Sequence, residues 1–267
     1  MPRTLFSTHD ACEAGEPLPL PVLKTLLKQI EESNLPRLGK PQSLTIRFSR
    51  ASDLNDVLEL YGGVRKQQID PNGFVRDRSY NELEAPVKNG AAALAIDERG
   101  FIRAAALASL HRDGDTGKNN IIEIGAVLCD VGGVGLSKVV LSMLALKHQF
   151  DPNASGRVFA KVAADNGASN KIFSHSMEWD TVCPQKEAPN LYDVAYRLNQ
   201  GNGHRDRLWY AFRECAAKKA VDTLRNALDS AALHGKDGST IPLNISESSI
   251  CSTLNCNEML ASPCASA

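Results

Sequence analysis

Along the chain, hydrophobic positions change their spacing several times, and each change marks an element. Residues 44–50, LTIRFSR, alternate as a strand does, and Leu54, Val57, Leu58 and Tyr61 then recur at the spacing of an amphipathic helix that Ser52 or Asp53 can cap. A short helix is expected over residues 79–88. Residues 91–97 and 101–110 read as two strands of a hairpin turning over 97–100, and 111–118 as a polar loop. The run 121–128, IIEIGAVL, is apolar and β-branched like a buried strand. Gly132, Gly133 and Gly135 interrupt it, and Val139, Val140, Met143, Leu144 and Lys147 follow at helical spacings, which places a helix start near Leu136. Further strands are expected at 157–163 and 191–198. Beyond them Trp209, Phe212, Ala216, Ala220, Leu224, Leu228 and Ala231 form a narrow apolar stripe on one long helix, predicted over 201–234. Its length fits packing on its own chain or pairing of two subunits into a homodimer.

The ends differ from this core. Residues 1–43 carry Pro17, Pro19 and Pro21 and then a helical pattern of Val22, Leu23, Leu26, Leu27 and Ile30, closed by Pro36 and Gly39. That pattern predicts an N-terminal helix packed on the main domain or offered to a partner. Residues 235–267 are rich in Ser, Asn and Cys without a sustained period, and read as a weakly ordered tail.

The strand, glycine cluster and helix at 121–150 suggest an anion cradle. Glycines let the backbone turn sharply and let its N–H groups approach a ligand, and a helix start adds unpaired amides and the positive end of its dipole. A phosphate or pyrophosphate suits such a site. Spacing separates the alternatives. The G-x-x-x-x-G-K-[ST] of a P-loop is absent, and a dinucleotide fingerprint needs Gly or Ala where Lys138 stands. Residues 127–137, VLCDVGGVGLS, instead resemble the V-x-P-x-x-R-G-x-G-x-G-like stretch of the Gcn5-related N-acetyltransferase superfamily. Gly133 and Gly135 match; Gly132 stands where the family has Arg or Gln, and Ser137 where it has Gly or Ala. A second stretch, from Asp165 and Asn166 through Ser169 and Phe173 to Trp179, is similar to the family's D-N-x-x-A-x-x-x-Y-x-x-x-G-F. There Phe173 replaces the tyrosine and Met177 the glycine.

The resemblance implies an α/β fold over residues 44–200, with a mixed, mostly antiparallel central sheet and helices on both faces. It also implies acetyl-coenzyme A as acyl donor. Cofactor contacts are expected from Val127, Leu128, Gly132, Gly133, Val134, Gly135, Leu136, Ser137, Asn166 and Phe173, with a main-chain N–H of Val127 or Leu128 meeting the oxyanion. Family members use a glutamate of the fourth strand as general base, and Glu123 is the ionisable residue there. Apolar neighbours would raise its pKa, as suits a base near neutrality; an edge glutamate in solvent or in an ion pair is the plainer alternative. Phe173 has no proton to give the departing thiolate. The acceptor is accordingly an amine on a small molecule, peptide or protein, and the competing reading is a degenerate member that binds coenzyme A or a partner without turnover.

Composition narrows the remaining classes. A formal net charge of −1 over 267 residues gives no electrostatic case for nonspecific nucleic-acid binding. No apolar run suits a membrane span or a signal peptide, so synthesis in the cytoplasm is expected. The 7 cysteines form no C-x-x-C pair or other zinc-like spacing, and reduced thiols without a metal are expected.

Overall fold

The computed structural model describes residues 38–111, 121–149, 157–183, 186 and 206–246. The N-terminal helix expected at 22–30, the strand expected at 191–198 and the tail beyond 246 lie outside the described residues. The chain divides into residues 1–38 and a unit from Gly39 to Ala267, which holds every described strand and helix.

The strands are β1 (Leu44–Phe48), β2 (Ala92–Asp97), β3 (Ile102–His111), β4 (Ile121–Cys129), β5 (Arg157–Ala163), β6 (Asp180–Val182), β7 (Arg207–Ala211), β8 (Ala232–His234) and β9 (Thr240–Ile245). They form a 9-stranded sheet in the order β6-β7-β5-β4-β3-β2-β1-β9-β8. Pairing is parallel between β4 and β5 and between β1 and β9, and antiparallel elsewhere. The helices are α1 (Leu54–Gly62), α2 (Val64–Ile69), α3 (Tyr80–Lys88), α4 (Leu136–Gln149), α5 (Gly167–Lys171) and α6 (Glu214–Ser230).

The centre of the sheet is buried on both faces, which is why β2 and β3 read as near-continuous apolar runs rather than a clean alternation. On one face α4 and α6 pack side by side over Ala93, Ala104, Ala106, Ile122, Ile124 and Val158. On the other, Leu54, Val57, Leu60, Leu83 and Val87 of α1 and α3 meet Leu94, Ala105 and Leu107. Alanine at many central positions lets both helical layers approach closely. The expected mixed, mostly antiparallel sheet with helices on both faces is therefore present. No described helix is long and apolar enough to cross a membrane.

Several expectations are corrected. Trp209 and Phe212 do not belong to the long helix: residues 207–211 form β7, paired with β5 from Phe159↔Ala211 to Ala163↔Arg207. The aromatics there alternate, with Trp209 and Ala211 on one face and Tyr210 and Phe212 on the other, as a strand requires. The helix proper starts at Glu214. Its stripe of Ala216, Ala217, Ala220, Val221, Leu224 and Ala227 is buried within the chain. That stripe is thus not a free homodimer surface. The end of the predicted helix range is instead β8, and the supposed tail contributes β9, whose Ile241, Leu243 and Ile245 point into the core with period two. Asp53 sits at the N-cap of α1 without capping it. Its carboxylate instead takes Arg47 at 2.6 and 2.7 Å and the Arg50 amide at 2.6 Å.

Candidate active site

The site is built on one continuous stretch, β4 through the glycine turn into α4. β4 pairs with β5 only from Ile121↔Arg157 to Ile124↔Ala160, although both strands run on, β4 to Cys129 and β5 to Ala163. From Gly125 onward a gap opens between them. On its other edge β4 carries a bulge: Leu107 pairs with Gly125 and Ala105 with Leu128, which leaves Ala126 and Val127 without partners on β3. Ala126 adopts φ 50°, a strained value for a residue with a side chain. The Tyr61 hydroxyl donates to the Ala126 carbonyl and fixes the bulge. Tyr61 is fully buried, and that burial raises its phenol pKa, so the hydroxyl keeps its proton. Leu128 is back in register; of the two proposed oxyanion donors, only Val127 lies in the bulge.

After β4 the chain enters the turn. Gly133 and Gly135 have φ of 79° and 78°, values that explain why glycine stands at both. Val131, Val134 and Leu136 are buried and pin the turn from below, while a Cβ added at Gly132 or Gly133 would meet nothing within 4 Å. Among the described residues no backbone carbonyl takes the amides of Gly133, Val134, Gly135 or Leu136. Open space, outward amides and the start of α4 together fit a pyrophosphate. Lys138 adds a cation that the glycine spacing did not single out: its Cε lies 3.2 Å from where a Gly135 Cβ would stand. The root of the turn is held by ion pairs. Asp130 takes Arg103 Nε at 2.8 Å and Arg65 at 3.2 Å, and Arg103 also reaches Asp97 at 3.2 Å.

Glu123 lies on the face opposite α4, and its environment differs from the expected one. His111 Nε2 is 3.0 Å away and Lys161 Nζ 3.5 Å. Desolvation pushes the carboxyl pKa up, but the hydrogen bond from His111 and the charges of Lys161, His111 and Arg78 outweigh it and hold the pKa at about 2. The expected raised pKa is therefore corrected to a lowered one. Apolar neighbours in sequence, Ile122 and Ile124, point to the other face of the strand, whereas the cations arrive from β3 and β5. His111 and Lys161 were not legible as site residues. His111 stood at the edge of a polar loop, and Lys161 was one polar residue in an apolar strand.

Asn166 and Phe173 are placed differently again. Asn166 is the N-cap of α5, its side chain accepting the Ser169 amide at 3.1 Å. Phe173 lies in a π-helical turn at Ile172–Ser176 and is buried. Its ring meets Trp179 edge-on at 5.0 Å and stacks on Tyr210 at 5.5 Å. The Tyr210 hydroxyl donates to Asn170 Oδ1 at 3.0 Å, so the phenol nearest Phe173 belongs to β7.

No protein-family model matches the chain, and no curated protein matches it. Solved structures do. One is N-acetylglutamate synthase from Neisseria gonorrhoeae complexed with coenzyme A and N-acetyl-glutamate, at 16% identity and TM-score 0.46 over 66% of this chain and 37% of that one. A second is diaminobutyrate acetyltransferase from Paenibacillus lautus in complex with its substrate and coenzyme A, at 17% identity and TM-score 0.41, covering 64% of this chain and 94% of that one. The third is a GNAT superfamily phosphinothricin acetyltransferase from Sinorhizobium meliloti in complex with acetyl-coenzyme A, at 22% identity and TM-score 0.40, covering 53% and 77%. The chain spans little over a third of the synthase. With TM-scores from 0.40 to 0.46 these likenesses carry no argument about activity, which rests on the geometry above.

Proposed function

We propose that the chain is an acetyl-coenzyme A-dependent N-acyltransferase of the Gcn5-related kind, in which an amine attacks the thioester directly. One observation carries the reading. A single strand-turn-helix combines an unpaired bulge, a gap beside it and two left-handed glycines at a helix start. That combination serves a donor with a pyrophosphate at one end and a carbonyl at the other.

Each part has a role. Acetyl-coenzyme A, when bound, supplies an activated acyl carbon. The amides of Gly133 to Leu136, with Lys138, hold the pyrophosphate, and Val134 and Leu136 keep the turn in place from the core. The Val127 N–H faces the carbonyl oxygen as it gains charge. As the new C–N bond forms and the C–S bond breaks, the amine must lose a proton. Glu123, held ionised, is a weak base, so we assign proton uptake to the His111 imidazole that it holds at 3.0 Å. Glu123 then orients the ring through Nε2 and balances its charge. The thiolate leaves and takes its proton from water, since Phe173 has none to give.

A second reading, binding without turnover, is favoured by two observations: the low pKa of Glu123 and the phenylalanine at 173. One experiment separates them. An enzyme releases coenzyme A thiol from acetyl-coenzyme A only when an amine is present; a binding protein retains the ligand and releases none.

A further inference from the structure

Within electrostatic reach of Glu123 there is a cation that has no hydrogen-bonded counter-ion among the described residues. Arg78 ends the segment between α2 and α3. Its amide donates to the Tyr61 carbonyl at 3.4 Å, and the Tyr61 hydroxyl in turn reaches Ala126 in the bulge. By this route the guanidinium comes within electrostatic reach of both Glu123 and Tyr61.

The carboxylates around it are engaged elsewhere. Glu82 is 3.9 Å from Arg78 Nη1, too far for a hydrogen bond, and its oxygens already accept from Arg76 and from the Ser79 amide and hydroxyl. Glu123 is taken by His111 and Lys161. Among the described residues Arg78 Nε is sealed from solvent and has no hydrogen-bond partner. Burial, followed by the charge of Arg76, lowers the Arg78 pKa, a perturbation that a bound anion would reverse. Arg78 is thus partly exposed, with only a loose ion pair to Glu82 and a buried Nε that nothing accepts from, and its planar fork matches a carboxylate through two parallel hydrogen bonds.

We infer that Arg78 receives a carboxylate of the acceptor, so that the amine acetylated is an amino acid or another amine bearing a carboxylate. This rests on the acyltransferase reading. Arg78 holds the anionic group beside the bulge while the amine faces His111 and the gap. A simple alkylamine lacks the group that Arg78 needs, and leaves Nε without an acceptor in the complex.

The test compares matched acceptors with acetyl-coenzyme A: amino acids, their decarboxylated amines, and phosphoethanolamine as the phosphate counterpart. Thiol release and calorimetric binding of each to the coenzyme A complex are both read. At least one amino acid should exceed its decarboxylated partner by roughly ten- to a hundredfold in kcat/KM, the span of a lost charge-assisted hydrogen-bond pair. Arg78→Met should remove that preference mainly through KM, Arg78→Lys should restore part of it, and both should bind coenzyme A as wild type does, which shows that they fold. Equal use of decarboxylated amines, preference for phosphoethanolamine, or no binding of any amino acid to the coenzyme A complex would overturn the inference alone. Failure of wild type to bind coenzyme A would remove the acyltransferase reading, and this inference with it.

Discussion

Replacing Glu123 with glutamine removes the negative centre of a buried cluster, and the consequence for stability follows from its titration. The carboxyl is held at about 2 against an ordinary 4.5, about two and a half pH units at ~1.4 kcal/mol each, or roughly 3 kcal/mol in favour of the folded state at neutral pH. The side chain is only 16% exposed, so solvent screening discounts this little. A folded pKa below the unfolded one gives stability that is complete above 4.5 and is lost as pH falls from there through about 2. Glu123→Gln also leaves Lys161, 10% exposed, without the carboxylate that faces it, which acts in the same direction. Urea unfolding of both proteins between pH 7 and pH 3 measures the difference. Wild type should be more stable by about 3 kcal/mol at pH 7, and the gap should close by ~1.4 kcal/mol for each pH unit below 4.5. A variant as stable as wild type at pH 7, or a gap that stays constant to pH 3, would refute the ion-pair account of this residue.

Two further predictions concern the core around the site. Leu224, 3% exposed, is held between α6 and the helix beside it, so Leu224→Asp should lower stability by about 4 kcal/mol or more in unfolding measurements. A variant that keeps its stability and only changes its sedimentation would instead assign the stripe to a subunit contact. Phe173→Tyr should raise amine-dependent thiol release or leave it unchanged; a tenfold fall in a variant of normal stability would show that position 173 does not face the leaving sulfur.

The sequence carried the frame of this fold because the central elements have unmixed patterns. β4, the glycines and α4 follow one another without ambiguity: an apolar β-branched run cannot continue through Gly132 and Gly133, and both left-handed positions are occupied by glycine. β7 was misread because aromatics at 209 and 212 satisfy a helical spacing as well as a strand's alternation. Only the ladder to β5 decides between them. β9 was missed because Pro242 breaks a short alternating run that pairing with β1 and β8 completes, burying Ile241 and Ile245. The site was half legible for a related reason. Main-chain features such as the turn leave a mark in glycine spacing, whereas Glu123 owes its state to His111 and Lys161 on neighbouring strands, and Tyr61 reaches Ala126 from α1. Contacts of that kind depend on register, which no local pattern reports.

The central claim is that the turn between β4 and α4 holds coenzyme A, and calorimetric titration of coenzyme A into wild type and Gly135→Val tests it. Valine at φ 78° is strained, and its side chain would crowd Lys138 at the mouth of the turn. The account predicts saturable binding to wild type, a matching rise in melting temperature by mass action, and loss of both in the variant. No heat and no thermal shift at millimolar coenzyme A, or undiminished binding by a folded Gly135→Val, would contradict it.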